Sequence, residues 1–172
     1  MSFSAHQLTV PVFIRAFKVL SGLLDKAEAH ADETGISLET LFNARLAADM
    51  LPLSGQIQRA SDTAKNTIGR LSTIETPRFP DEEKTFAELR ERIAKTVAFL
   101  ETVKPADLED AAGRDIEVSF GKLKAAFRGD EYILTFAIPN FFFHVVTAHD
   151  ILRNQGVPIG KRDYLGPFNV ID

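Results

Sequence analysis

Apolar residues recur at helical spacing in four long segments of this chain. In the first, Phe13, Phe17, Leu20 and Leu24 fall on one face of a helix predicted from about Thr9 to Ala31. Thr9 is the expected N-cap, with Pro11 in the first turn, where its missing N–H costs little. Gly35 is expected to stop this helix, and a short helical piece through Leu38, Leu41 and Phe42 should follow Ser37. The second long helix is predicted from Asp49 to Leu71, with Asp49 as cap and Pro52 in the first turn. Its stripe is Leu53, Ile57, Ala60, Ala64, Ile68 and Leu71; Gly55 and the alanines make that face thin enough for a close helix neighbour.

A proline-rich, extended linker is predicted from Glu75 to Asp81. Thr85 and Glu88 then form a capping-box pattern, and Phe86, Leu89, Ile93, Val97 and Leu100 make the stripe of the third helix. Glu88–Arg92 and Glu91–Lys95 read as i,i+4 ion pairs on its wet face, worth roughly a few tenths of a kcal/mol each. Pro105 ends this segment. From Asp115 the period becomes two through Ile116, Val118 and Phe120; Gly121 and a second run, Lys124 to Arg128, predict a small hairpin, with Gly129-Asp130 then turning the chain. Tyr132 to Ile138 fits a short helix or a strand. Pro139 opens the fourth long helix, which runs to about Asn154 with Gly156 at its end. The tail from Val157 is punctuated by glycine and proline and should wrap the surface without forming an element.

Four long amphipathic helices with one hairpin before the last define an all-α fold, a four-helix bundle with a long crossover or two, as a single domain over residues 1–172. Composition agrees: 172 residues with 45% apolar and 26% charged side chains can bury a core unaided. The net charge of −4 argues against a general nucleic-acid binder. Cysteine is absent, which removes disulfides and thiolate chemistry and suits a reducing compartment. No signal-peptide pattern is visible, and no uninterrupted apolar run approaches the ~20 residues of a bilayer span. A cytoplasmic protein with no membrane partner is expected.

Candidate chemistry is sparse. His144 and His149 lie in IPNFFFHVVTAH, but five helical residues separate their directions by about 140°, so they cannot share an ion. A two-histidine helical chelate uses i,i+4. The meaningful spacing is Asn140 to His144. His144 is either a hydrogen-bonded core histidine or a functional one, and Asn140 either caps its helix or joins that site. His149 is expected at the surface or rim. Phe141, Phe142 and Phe143 cannot share one face, so some enter the core while others serve another surface such as an interface.

PNFFFHVVTAHDILRNQGV, NARLAADMLPLSGQIQRASDTAK and GKRDYLG together resemble an uncharacterised family within the DinB/YfiT-like superfamily. The resemblance covers nearly the whole chain. It implies a four-helix bundle with a crossed connection, often dimeric, so a homodimer is expected. Many members of the superfamily bind a divalent metal through a second-helix histidine and a fourth-helix H-x-x-x-H pair, and some are thiol-dependent S-transferases or hydrolases. Here that pair corresponds to Asn140 and His144, and residues 45–72 hold no histidine. Gln56 is the nearest inward polar residue, with Asp49 one heptad earlier.

Amide oxygens and one imidazole bind zinc or nickel poorly, so no metal and no cofactor are expected. A hard ion held with Asp49 is the outside case. The candidate pocket is therefore Asn140, His144, Gln56 and Asp49, with Arg45 and Tyr164 as residues that could close it. If the protein is an enzyme, which the sequence leaves undecided, His144 is the candidate catalytic base. The readings are a small-molecule-binding bundle with a degenerate metal site, a non-catalytic structural or interaction module, and a weakly metal-dependent transferase or hydrolase. No G-x-S-x-G elbow, Walker loop or G-x-G-x-x-G occurs.

Overall fold

A Ser-x-x-Gln capping box starts the longest helix earlier than its apolar stripe predicts. In the computed structural model, which describes residues 3–167, Ser4 accepts from the Gln7 backbone N–H, and the Gln7 side chain accepts from Ser4 N. Helix α1 (Ala5–Thr34) therefore begins at Ala5, not Thr9. The Thr9 hydroxyl donates to Ala5 O at 2.7 Å, a mid-helix bond, so Thr9 caps nothing. Pro11 lies inside the helix and simply forgoes one backbone bond. Gly35, at φ +77°, ends α1 as expected.

Helix α2 (Leu38–Asn43) follows, capped by Ser37. Helix α3 (Leu53–Leu71) starts four residues after Asp49, with Pro52 at the N-cap position. A proline disfavours helical backbone at the residue before it, and here the helix starts after Leu51-Pro52, not at Asp49. All six predicted stripe residues of α3 are buried. The nearest neighbours of Gly55 are local: a Cβ there would touch Leu51 at 3.1 Å and Pro52 at 3.3 Å.

Helix α4 (Phe86–Thr102) carries the predicted Thr85–Glu88 box. Glu88 is committed there, accepting from Lys84 N and Thr85 N, and does not pair with Arg92. Arg92 is no wet-face residue: it is 2% exposed. Glu91–Lys95 forms as predicted, at 2.7 Å on the surface. After two short 3-10 turns, strands β1 (Asp115–Phe120) and β2 (Leu123–Arg128) pair antiparallel with Ile116 opposite Phe127.

The ambiguous segment is neither a strand nor a separate helix. A helical turn, α5 (Gly129–Glu131), runs through a π-helical stretch (Tyr132–Ala137) straight into α6 (Ile138–Asn154). Ile138 N–H reaches back five residues to Ile133 O. The widened turn accommodates Pro139, which lacks an N–H and would crowd a regular turn, so Pro139 lies within the helix instead of opening it. Asn140 consequently caps no helix. Tyr132, fully buried, ties the hairpin to the bundle: its ring packs on Phe127 and Phe136, and Arg70 donates to its hydroxyl at 2.9 Å.

Helix α3 is the central element, packed against α6 on one side and α4 on the other, with α1 closing the bundle against both. Phe141 fills the core against Phe13 and Phe17, Phe142 is half-buried, and Phe143 is 55% exposed. The tail is not free of structure. A short helix, α7 (Lys161–Leu165), docks on α1 through Lys26–Asp163 at 2.6 Å. Ala5–Thr34 and Gly129–Asn154 each contain an 18-residue window as apolar as a membrane span, although the sequence shows no uninterrupted run. Half of the first window and 44% of the second are buried against the rest of the bundle, as core helices require.

Candidate functional site

Two hydrogen-bonded rungs join α3 to α6. The Asn140 amide donates to Thr63 Oγ1 at 2.9 Å, and His144 Nδ1 lies 2.8 Å from Gln56 Oε1. The spacing explains the pairing: Asn140 and His144 are one turn apart on α6, and Gln56 and Thr63 are two turns apart on α3. Ala60, buried between them, contributes no polar group.

The tautomer of His144 follows from its neighbour. Gln56 Nε2 donates to Leu51 O at 3.0 Å, and a carbonyl can only accept, so Oε1 must be the atom facing the ring. His144 Nδ1 therefore carries the proton and donates, leaving Nε2 as a lone pair with no hydrogen-bond partner among the described residues. Burial, reinforced by the positive charge of Arg59, lowers the His144 pKa from 6.5 to about 4. At neutral pH the ring is an uncharged acceptor held in one orientation.

Gln56 is buried, while Asn140 and His144 are half-buried. Asp49 is exposed in a turn before α3 and joins neither rung. The heptad step from Gln56 was the right signal in the wrong direction: seven residues forward is Thr63, on the helix, whereas seven back lies outside it. Arg45 donates to Met50 O and braces that same loop. Tyr164 sits instead on α7, edge-on to His149 at 5.9 Å, so the two do not close one pocket. None of the five cavities described, about 230 to 690 Å3, is lined by Gln56, Asn140 or His144.

His149 is buried, not at the rim, because α7 folds back over its side of α6. Its Nδ1 lies 2.9 Å from Asp150 Oδ1, and its Nε2 is buried without a partner among the described residues.

A second polar cluster, unforeseen as a unit, lies across α3 against α4. Arg92 donates through Nη1 to Pro80 O and Glu83 and through Nη2 to Asp62 and Asp81. Lys65, also buried, reaches Asp62 at 3.2 Å and Pro77 O at 3.1 Å, with Phe79 beneath its ammonium. Burial opposes ionisation of Glu83, yet the bonds from Arg92 and Gln58 outweigh it and lower its pKa. With Arg59 bonded to Asp62 and Asp81, three cations face three carboxylates and pin the extended linker to the bundle. The contacts depend on the linker's path, so helical spacing alone carried no sign of them.

The element order, four long helices with a hairpin before the last, defines a four-helix bundle. A crystal structure of a DinB family member from Shewanella denitrificans is 41% identical, with a TM-score of 0.89 over 97% of this chain and 94% of that one. Residues 5–165 match a family described as a domain of unknown function, DUF1993, and the chain belongs to that family. No curated protein matches it.

The metal that the superfamily implies does not fit the side chains present. No group of three His, Cys, Asp or Glu side chains converges among the described residues. Gln56 offers one amide oxygen, which already accepts from the His144 N–H, and Asp49 has no hydrogen bond or ion pair to either rung, so a single imidazole would be the one good ligand.

Proposed function

We propose that this protein is a metal-independent small-molecule-binding bundle whose α3–α6 seam presents His144 Nε2 as a fixed, neutral hydrogen-bond acceptor. The observation that carries the reading is the Leu51–Gln56–His144 chain, which orients one tautomer and leaves the outer nitrogen unused. A free-standing acceptor in a half-buried seam suits a ligand bearing an N–H or O–H donor, such as an amide or alcohol. In a catalytic version of the same site His144 would take a proton at Nε2, but its depressed pKa makes it a weak base near neutrality.

The absence of these residues from the described cavities favours a second reading, a structural or interaction module in which the rungs only fix helix register. Nitrogen-15 NMR of the imidazole, followed through a screen of small amides and alcohols, separates the two. Ligand-dependent shifts at His144 Nε2, with saturable binding of the same ligand lost in His144→Ala, support binding; an unresponsive Nε2 assigns the seam to structure. Tag-free protein titrated with Zn2+, Ni2+ and Mn2+ should show no stoichiometric metal dependent on His144. Stoichiometric metal lost with His144→Ala would overturn the metal-independent reading.

A further inference from the structure

The largest described cavity, about 690 Å3, shares no lining residue with the histidine rungs and lies along α1 beside Asp163, Gly166 and Pro167. Its size falls within the range of small-molecule sites. Its floor includes Ile14 and Leu23, and its rim carries Arg15, Lys18 and Lys26. The spacing Arg15, Lys18, Gly22, Lys26 is one ridge of a helix, so a single element supplies both the cations and a glycine between them.

That glycine has no structural reason within the described chain. Gly22 is in mid-helix, its φ is not positive, and a Cβ there would meet nothing within 4 Å. Glycine at such a position costs about 0.5–1 kcal/mol relative to alanine. What it provides is depth, because any side chain at 22 would project into the cavity.

The charges are also uneven. Asp163 is the one carboxylate among the described lining residues, and it is engaged by Lys26 and by Gly160 N–H. Arg15 donates to Leu165 O, and Lys18 has no hydrogen bond or ion pair among the described residues. A net positive mouth on a chain of charge −4 favours an anion. A smaller cavity of about 230 Å3 shares Arg15 and Val19 and continues between α1 and α6 to Phe142 and Val145, lengthening the apolar path.

We propose that this groove binds an amphipathic organic anion, a carboxylate carried on an apolar chain, with the head at Lys18 and Arg15 and the chain over Gly22. The test is a fluorescence titration of the full chain with 11-(dansylamino)undecanoic acid, competed by laurate and by 1-dodecanol. Saturable one-to-one binding is expected, with laurate competing at least roughly tenfold better than dodecanol. Lys18→Glu should weaken the probe roughly tenfold, and Gly22→Leu should abolish binding without lowering the melting temperature. Should Gly22→Leu fold poorly, Gly22→Ala, which adds one methyl in open space, should still weaken binding while raising stability. Equal competition by dodecanol, probe binding untouched by both Gly22 variants, or no saturable binding overturns the proposal. So does a dimer that buries this face in place of the probe, or binding that emerges only after residues 168–172 are removed.

Discussion

Helix α3 shows polar side chains to both neighbours, and the two seams use them differently. Toward α4 it contributes Asp62 and Lys65 to a charged network in which Arg92 meets three carboxylates and a carbonyl. Toward α6 it contributes Gln56 and Thr63 to neutral rungs, and one ring nitrogen is left over. The first seam is more buried and more charged; both guanidinium termini of Arg92 are engaged, and only its Nε has no partner among the described residues. The second is milder and has capacity to spare. Buried polarity alone does not separate the two seams; the bonding left unused at each group does.

The largest expected effect comes from breaking the charged seam. Arg92→Ala would remove the one cation paired with Glu83 among the described residues and leave Asp62 and Asp81 to Arg59 and Lys65, and should cost about 3 kcal/mol, read as a lower urea midpoint. Asn140→Ala, which removes a neutral rung, should cost only about 0.5–1.5 kcal/mol. Equal losses in the two variants would erase the distinction between the seams.

The neutral seam should instead show itself through pH. The folded-state pKa of His144 lies below its unfolded value, so the unfolded chain binds this proton first on acidification. The resulting stability is present above pH 6.5 and is lost as pH falls from 6.5 to about 4. Allowing for partial exposure of the ring, the loss is roughly 2 kcal/mol. His144→Gln should flatten the stability profile over that window, leaving Glu83 and other carboxylates to govern the lower range. An unchanged slope would mean that His144 is not held neutral.

Legibility in the sequence followed the range of the interaction. The α3 stripe, the Thr85–Glu88 box and the hairpin were visible because spacing of a few residues determines them. The start of α1 was missed because Ser4-x-x-Gln7 precedes the first stripe residue, and the start of α3 because Pro52 was placed inside the helix rather than at its edge. The Asn140–His144 pair and Gln56 were legible as face-mates. Thr63 was overlooked for Asp49, which shares the heptad phase but not the helix. Arg92 and His149 were misplaced for one reason: each is covered by irregular chain, the 75–84 linker or the segment around α7, whose path no periodicity encodes.

The smallest effect is the sharpest control, because it uses the same helix as the largest. Glu91 and Lys95 sit on α4 beside Arg92, at an i,i+4 spacing with N–O at 2.7 Å, and both side chains are more than half exposed. Water screens their attraction and holding two long side chains costs entropy, so Glu91→Gln should cost no more than about 0.5 kcal/mol. One residue along the chain, the same kind of charge is worth several times more because Arg92 is buried and water cannot readily replace it beside Glu83 and Asp62. Added salt should erase the Glu91 effect and leave most of the Arg92 effect in place. If both respond to salt alike, the linker does not seal Arg92, and the charged seam is as open to solvent as the surface pair.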